Sequence, residues 1–154
     1  MGTLLKLSQN LQLLKSRDAL ERIVFALVRE YEEVFIRLNK EQLSQGRDIF
    51  NIEIGTYSRA TEIESLFGEV RPIRPKTEGE PYNFEWTGGL FEGMELRINN
   101  NVAVFTSTDS KTDILVSKYG DIFGLTDDNL REVVQNTLLP ALRTEICRTI
   151  GLAN

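Results

Sequence analysis

Histidine is absent from this 154-residue chain, and cysteine occurs once, at Cys147. Without histidine, a Ser-His-Asp triad, a Cys-His pair and any His-ligated metal site are excluded. A lone cysteine excludes an intrachain disulfide and a CxxC motif, and its place in a helical pattern predicts a buried small hydrophobe. No apolar run approaches the ~18 residues of a membrane span. MGTLLKLSQN also lacks the apolar core and cleavage site of a secretory signal. The expectation is an intracellular product, or a particle component assembled inside a cell, with no membrane partner. Basic excess is missing too: 18 Lys and Arg stand against 23 Asp and Glu. A sequence-specific nucleic-acid surface therefore has no electrostatic footprint.

What is present is the composition of one globular domain over 1–154, with 41% hydrophobic and 27% charged residues. Leu4, Leu7, Leu11 and Leu14 recur at helical spacing, so 1–15 reads as a separate N-terminal helical piece. Ser16 or Asp18 caps a fresh start. From there Leu20, Ile23, Val24, Leu27, Val28, Tyr31, Val34, Phe35 and Leu38 form one stripe, predicting a long amphipathic helix to Gln45-Gly46. Phe25 and Ile36 lie off that stripe, either incidentally exposed or facing a second chain. Ile52 and Ile54 alternate with polar neighbours, as in a short half-buried strand. Thr61 to Phe67 predicts a brief helical turn.

Proline is scarce, four residues in all, yet three of them fall in RPIRPKTEGEP. This predicts an extended loop over 70–86 with little regular structure. It ends in Tyr82, Phe84 and Trp86, too aromatic for a solvated linker. These rings either anchor the loop to the core or meet a neighbouring subunit, and the second reading is preferred.

The central stretch runs from Trp86 to Leu125. Thr87-Gly88-Gly89 makes a turn, Met94 to Ile98 a strand, Asn99-Asn100-Asn101 a hairpin turn, and Val102 to Ser107 a second strand. Alternation puts Met94, Leu96 and Ile98 on one face. The second strand is apolar on both faces, Phe105 included, which predicts cover from both sides. A short helix from Asp109 stops at Gly120, and Gly124 makes a second corner. Thr126 caps a last helix running to Gly151, with a bend expected after Asn136 because Pro140 lacks a donor. The predicted fold is α+β. Long N-terminal and C-terminal helices pack on a small antiparallel sheet with a central β-hairpin and a long proline-containing loop.

No constellation carries a reaction. Glu30, Glu32 and Glu33 diverge around a helix, and Asp127 and Asp128 suit its dipole. Asp109 and Asp113 lack a third acid at useful spacing, so a metal-dependent hydrolase using them with Asp121 is the weakest reading. Gly88-Gly89 and Gly93 lack the GK[ST] of a phosphate cradle. Arg71, Arg74 and Lys76 form a basic cluster offset by Glu69, Glu78 and Glu80, which favours salt bridges to a protein neighbour. No cofactor, metal or small-molecule substrate is expected, and the chain reads as non-enzymatic.

The order of features resembles small neck and tail-completion proteins of tailed bacteriophages and prophages. The residues that carry it are Thr87-Gly88-Gly89-Leu90, Met94 to Ile98, Val102 to Ser107 and Lys118-Tyr119-Gly120. The run TDSKTDILVSKYGDIFGLT also resembles an uncharacterised family in phage-like elements of Bacteroidetes, where an NKEQL-type helix end (here Asn39 to Leu43) precedes it. The resemblance implies a structural virion protein of the head–tail connector, assembled in the bacterial host cytoplasm. It would form a homo-oligomeric ring of six or twelve copies between portal and tail proteins. The hairpin would join a sheet shared between neighbours, and Arg71, Arg74, Lys76, Tyr82, Phe84, Trp86 and Phe105 would serve the subunit interface. The alternative is an intracellular immunity or regulatory protein that binds one partner through the aromatic proline loop.

Overall fold

The computed structural model describes residues 8–12 and 14–152. Leu4 and Leu7 of the N-terminal stripe lie outside the described residues, while 8–12 are helical and Leu11 is exposed. Helix α1 spans Arg17–Glu30, and the Ser16 hydroxyl caps it by accepting the Ala19 N–H at 3.1 Å. Helix α2 spans Glu32–Ser44. The single long helix expected here is thus two, separated at Tyr31, whose φ of −102° and ψ of 19° leave the helical region. The apolar stripe nevertheless continues across the break, burying Leu27, Val28, Phe35, Leu38 and Leu43.

Residues 47–58 do not form the expected strand. They make only isolated bridges, Arg47 with Glu53 and Thr56 with Pro81. The cause is local: the Asp48 carboxylate accepts the N–H groups of Phe50 and Ile52 at 2.9 and 2.8 Å, curling the chain into a side-chain-mediated turn. Ile52 is left exposed. Helix α3, Arg59–Phe67, follows with Ser58 as its cap. After a long segment with no helix or strand comes the one-turn α4, Gly89–Glu92.

Strands β1, Met94–Asn99, and β2, Val102–Ser107, pair antiparallel with Leu96 opposite Phe105. Asn100 and Asn101 both take positive φ, 47° and 59°, which is the backbone a two-residue type I′ hairpin demands. Met94, Leu96, Ile98 and Phe105 face the helices, and full burial of one such side chain contributes about 1.5–3 kcal/mol. The other face has no cover: Val102 and Val104 stand exposed. The second covering layer expected from the apolar pattern of β2 is therefore missing among the described residues.

Helix α5 spans Thr112–Tyr119. It begins three residues later than expected because the Asp109 carboxylate takes the Lys111 N–H at 2.7 Å. Helix α6, Asp127–Val133, is capped by Thr126. It passes through a π turn, Val134–Leu138, into α7, Leu139–Ile150. The π turn occupies the position expected for the proline bend. A wider turn ahead of Pro140 absorbs the bond its missing N–H cannot make. Cys147 is half-buried rather than fully enclosed.

Two apolar clusters flank the hairpin. One gathers Val28, Phe35, Leu38, Leu96 and Val133; the other gathers Leu43, Met94 and Ile122, with Ile36 packed against it. Ile36 thus packs in part against the chain's own core. Between the clusters lies a polar clamp. Asn39, with none of its surface exposed, donates to the carbonyls of Ile122 and Gly124 at 3.1 and 2.7 Å. Gln42 donates to Gly124 O at 3.3 Å and accepts from Thr126 N–H at 2.9 Å and from Asn129 Nδ2 at 3.2 Å. These bonds hold the irregular 120–126 segment against α2.

Asn39→Leu keeps the branched shape of the side chain and orphans the Ile122 carbonyl. We expect urea unfolding to show a loss of about 1–3 kcal/mol for each carbonyl left unpaired. A change within about 0.5 kcal/mol would mean the clamp contributes nothing beyond an ordinary surface contact.

Candidate functional site

Residues 68–88 contain no helix or strand, so their order rests on other bonds. Lys76 supplies the centre. It is only 1% exposed, and its ammonium donates to Asn83 Oδ1 at 2.7 Å and to Glu85 O at 3.0 Å. The same Asn83 oxygen accepts the Tyr57 hydroxyl at 2.9 Å and the Glu85 N–H at 3.1 Å. The Tyr57 ring lies 5.6 Å from the ammonium, a cation–π distance. Burial pushes the Lys76 pKa below its ordinary 10.5 and raises that of Tyr57 above 10.0.

Backbone bonds complete the loop. Ile73 N–H meets Trp86 O, Tyr57 N–H meets Glu80 O, and Tyr82 N–H meets Gly55 O. Ser65, buried in α3, accepts the Lys76 N–H at 3.0 Å and so ties the loop to that helix. Glu62, one turn earlier, accepts the Glu78 N–H at 3.0 Å.

This attachment inverts α3. Its inward side presents Ser65 and Glu62, while Ile63, Leu66 and Phe67 point to solvent, Phe67 at 79% exposure. Val70 and Ile73 of the loop are exposed as well. Ile63, Leu66 and Phe67, at spacings of three and four, lie along one side of α3, and the exposed Val70 and Ile73 follow in the loop beyond its end. An apolar stripe turned outward on a structured helix is a feature of contact surfaces.

Beside the loop an aromatic cluster walls a cleft of about 240 Å³. Tyr57, Tyr82, Phe84 and Tyr119 pack with ring centroids 5.0 to 6.5 Å apart, mostly edge to face. Phe84 holds a positive φ of 56°, a conformation an aromatic residue adopts only when its surroundings enforce it. Trp86 lines the cleft while its Nε1 donates to Val70 O at 3.1 Å. Asp109 and Lys111 line it with opposite charges.

The interface residues expected from sequence therefore separate. Tyr82, Phe84 and Trp86 gather at the cleft, half-buried. Arg71 and Arg74 are exposed, Arg74 only 3.9 Å from Glu85. Lys76 does not join them, because its charge is spent inside the loop. Phe105 lies elsewhere, on the hairpin beside the helical core. Of the turn residues, Thr87, Gly88 and Gly89 line the cleft; Gly88 has a φ of 87°, open to glycine without strain. Gly120 ends α5 and Gly124 packs near Ile49. Tyr57 carries no signal in the sequence that ties it to the cleft, and Tyr119 reads there only as the end of a short helix; both lie in segments remote from the loop. Asp109 and Asp113 gather no metal-holding group of three acidic or sulfur side chains among the described residues.

Two outcomes test this arrangement. Lys76→Met orphans the Glu85 carbonyl and should cost about 1–3 kcal/mol of stability near neutral pH. Because the folded pKa of Lys76 is depressed, the unfolded chain binds the extra proton between that value and 10.5. Wild-type stability, taken relative to Lys76→Met, should then be level below the depressed pKa and rise with pH from there toward 10.5; a difference that stays level across that window would contradict the burial. Trp86→Ala should leave unfolding cooperative, since the ring lines an open cleft; loss of cooperative unfolding would make Trp86 part of the core. Compared with family models, curated proteins and solved structures, the chain matches none.

Proposed function

We propose that the chain is a non-enzymatic structural subunit of a bacteriophage or prophage head–tail neck, repeated in a ring between portal and tail. The observation that carries this reading is the outward apolar stripe of α3 and the proline loop, Ile63 to Ile73. A stripe built on a helix and a pinned loop is ready to be covered without refolding, as ring assembly requires. The uncovered hairpin face, with Val102 and Val104, offers a second surface on another part of the molecule. Two separate contact surfaces suit a protomer that meets a neighbour on each side. The sequence resemblance supplies the neck, the virion location and the copy number of six or twelve.

The aromatic cleft favours the alternative, an immunity or regulatory protein that seats one partner residue beside Trp86. Gene neighbourhood separates the two: portal and capsid genes alongside suit the neck protein, an adjacent toxin gene the alternative.

Mass spectrometry of purified virus-like particles from the encoding element tests the proposal. The chain should be present at a low multiple of six relative to a ring of portal subunits. Its absence from particles would overturn the neck assignment and leave the soluble partner-binding module.

A further inference from the structure

Among the described residues neither edge of the hairpin pairs with a further strand. Asn99 opposite Val102 closes the two-residue turn, so the hydrogen-bonded pairs alternate from there along the register. The outward N–H of Leu96 on β1 is taken by the Glu32 carboxylate at 3.0 Å. On β2 the outward groups belong to Ala103, Phe105 and Ser107. Ser107 O accepts the Thr112 hydroxyl at 3.2 Å, but Ala103 and Phe105 have no backbone partner among the described residues. The strand reads VAVFTS, without the lysine, proline or bulge that normally guards an edge.

Alongside Phe105 runs a groove of about 420 Å³ between the hairpin and α5. Phe105, Val116, Ile122 and Phe123 supply its apolar lining. Its charged lining residues, Asp113 and Asp121, are both acidic. An occupant that fits is an irregular segment with an apolar residue between basic ones.

The chain carries such a segment. Arg71-Pro72-Ile73-Arg74 is free of helix and strand and bends at Ile73-Arg74, with Ile73 62% exposed and both arginines exposed. Ile73 leans on Trp86 and Gly88, and this surface shares no residue with the groove. Proline at positions 72 and 75 denies backbone donors, so the segment would accept from Ala103 and Phe105 N–H through its carbonyls while its arginines meet the acids.

We infer that Arg71–Arg74 of one copy docks in the groove between β2 and α5 of the next copy, with Ile73 against Phe105 and Val116 and the arginines paired to Asp113 and Asp121. The two surfaces differ, so the contact is head-to-tail and propagates into a ring or a filament rather than stopping at a dimer. This inference rests on the ring reading and names the interface it needs.

Disulfide trapping of the full-length chain, with Cys147→Ser as background, tests it. Under mild oxidation at high protein concentration, a chain carrying both Ile73→Cys and Val116→Cys should give a ladder beyond the dimer. Mixing the two single-cysteine chains should give the mixed dimer in preference to either self-dimer. Arg71→Glu with Arg74→Glu should cut the mixed yield about tenfold, equivalent to about 1.4 kcal/mol. Asp113→Lys with Asp121→Lys in the other chain should restore it. Predominant self-dimers, or a mixed yield that ignores charge reversal, would overturn the contact. The neck assignment fails separately. A charge-dependent ladder from a chain absent from particles keeps the contact and removes the neck, whereas a chain present in particles without the mixed disulfide does the reverse.

Discussion

Two side-chain amides near the end of α2 hold the irregular part of the fold in place. Asn39 and Gln42 between them satisfy two carbonyls and an N–H of the 122–126 segment, in surroundings where an unpaired backbone group costs about 1–3 kcal/mol. Leu43 and Ile122, both fully buried, close the apolar side of the same contact. Without this clamp the chain between α5 and α6 has no ladder to join, and Leu125 and Val133 lose their placement against the first core. The runs Asn39–Leu43 and Lys118–Thr126 touch one another through these bonds.

A second polar centre does the same for the loop. Lys76 sits where an apolar residue would be expected, and its ammonium organises Asn83, Glu85 and Tyr57 instead. Because the loop is tied to the polar side of α3 by Ser65 and Glu62, the apolar side of that helix must face water. The outward stripe is therefore a consequence of how the loop is anchored. Its exposure disfavours the isolated chain, and contact with a partner would remove that cost.

Much of the fold is legible in the sequence. The α+β class, the hairpin at Asn100-Asn101, the caps at Ser16 and Thr126 and the disturbance before Pro140 all follow from local chemistry. What escaped depends on contacts distant in sequence. The sequence predicts a helical turn over Thr61 to Phe67 but not the polar partners of Ser65 and Glu62 that turn its apolar side outward. Lys76 read as one of a basic trio because its neighbours Arg71 and Arg74 are adjacent in the chain, whereas Asn83 and Glu85 reach it only after the loop folds back. Ile52 and Ile54 alternate as a strand would, but Asp48 offers two N–H groups a nearer acceptor. The cleft combines Tyr57, Tyr82 and Tyr119 from three segments, and no single stretch announces it.

Side-chain hydroxyl-radical footprinting, comparing the free chain with assembled particles, addresses the outward stripe most directly. The account predicts that Phe67 and Ile73 label readily in the free chain and are protected in particles, while the buried Leu43 stays unlabelled in both. Equal labelling of Phe67 and Ile73 in the two states would contradict the claim that this stripe is an assembly surface.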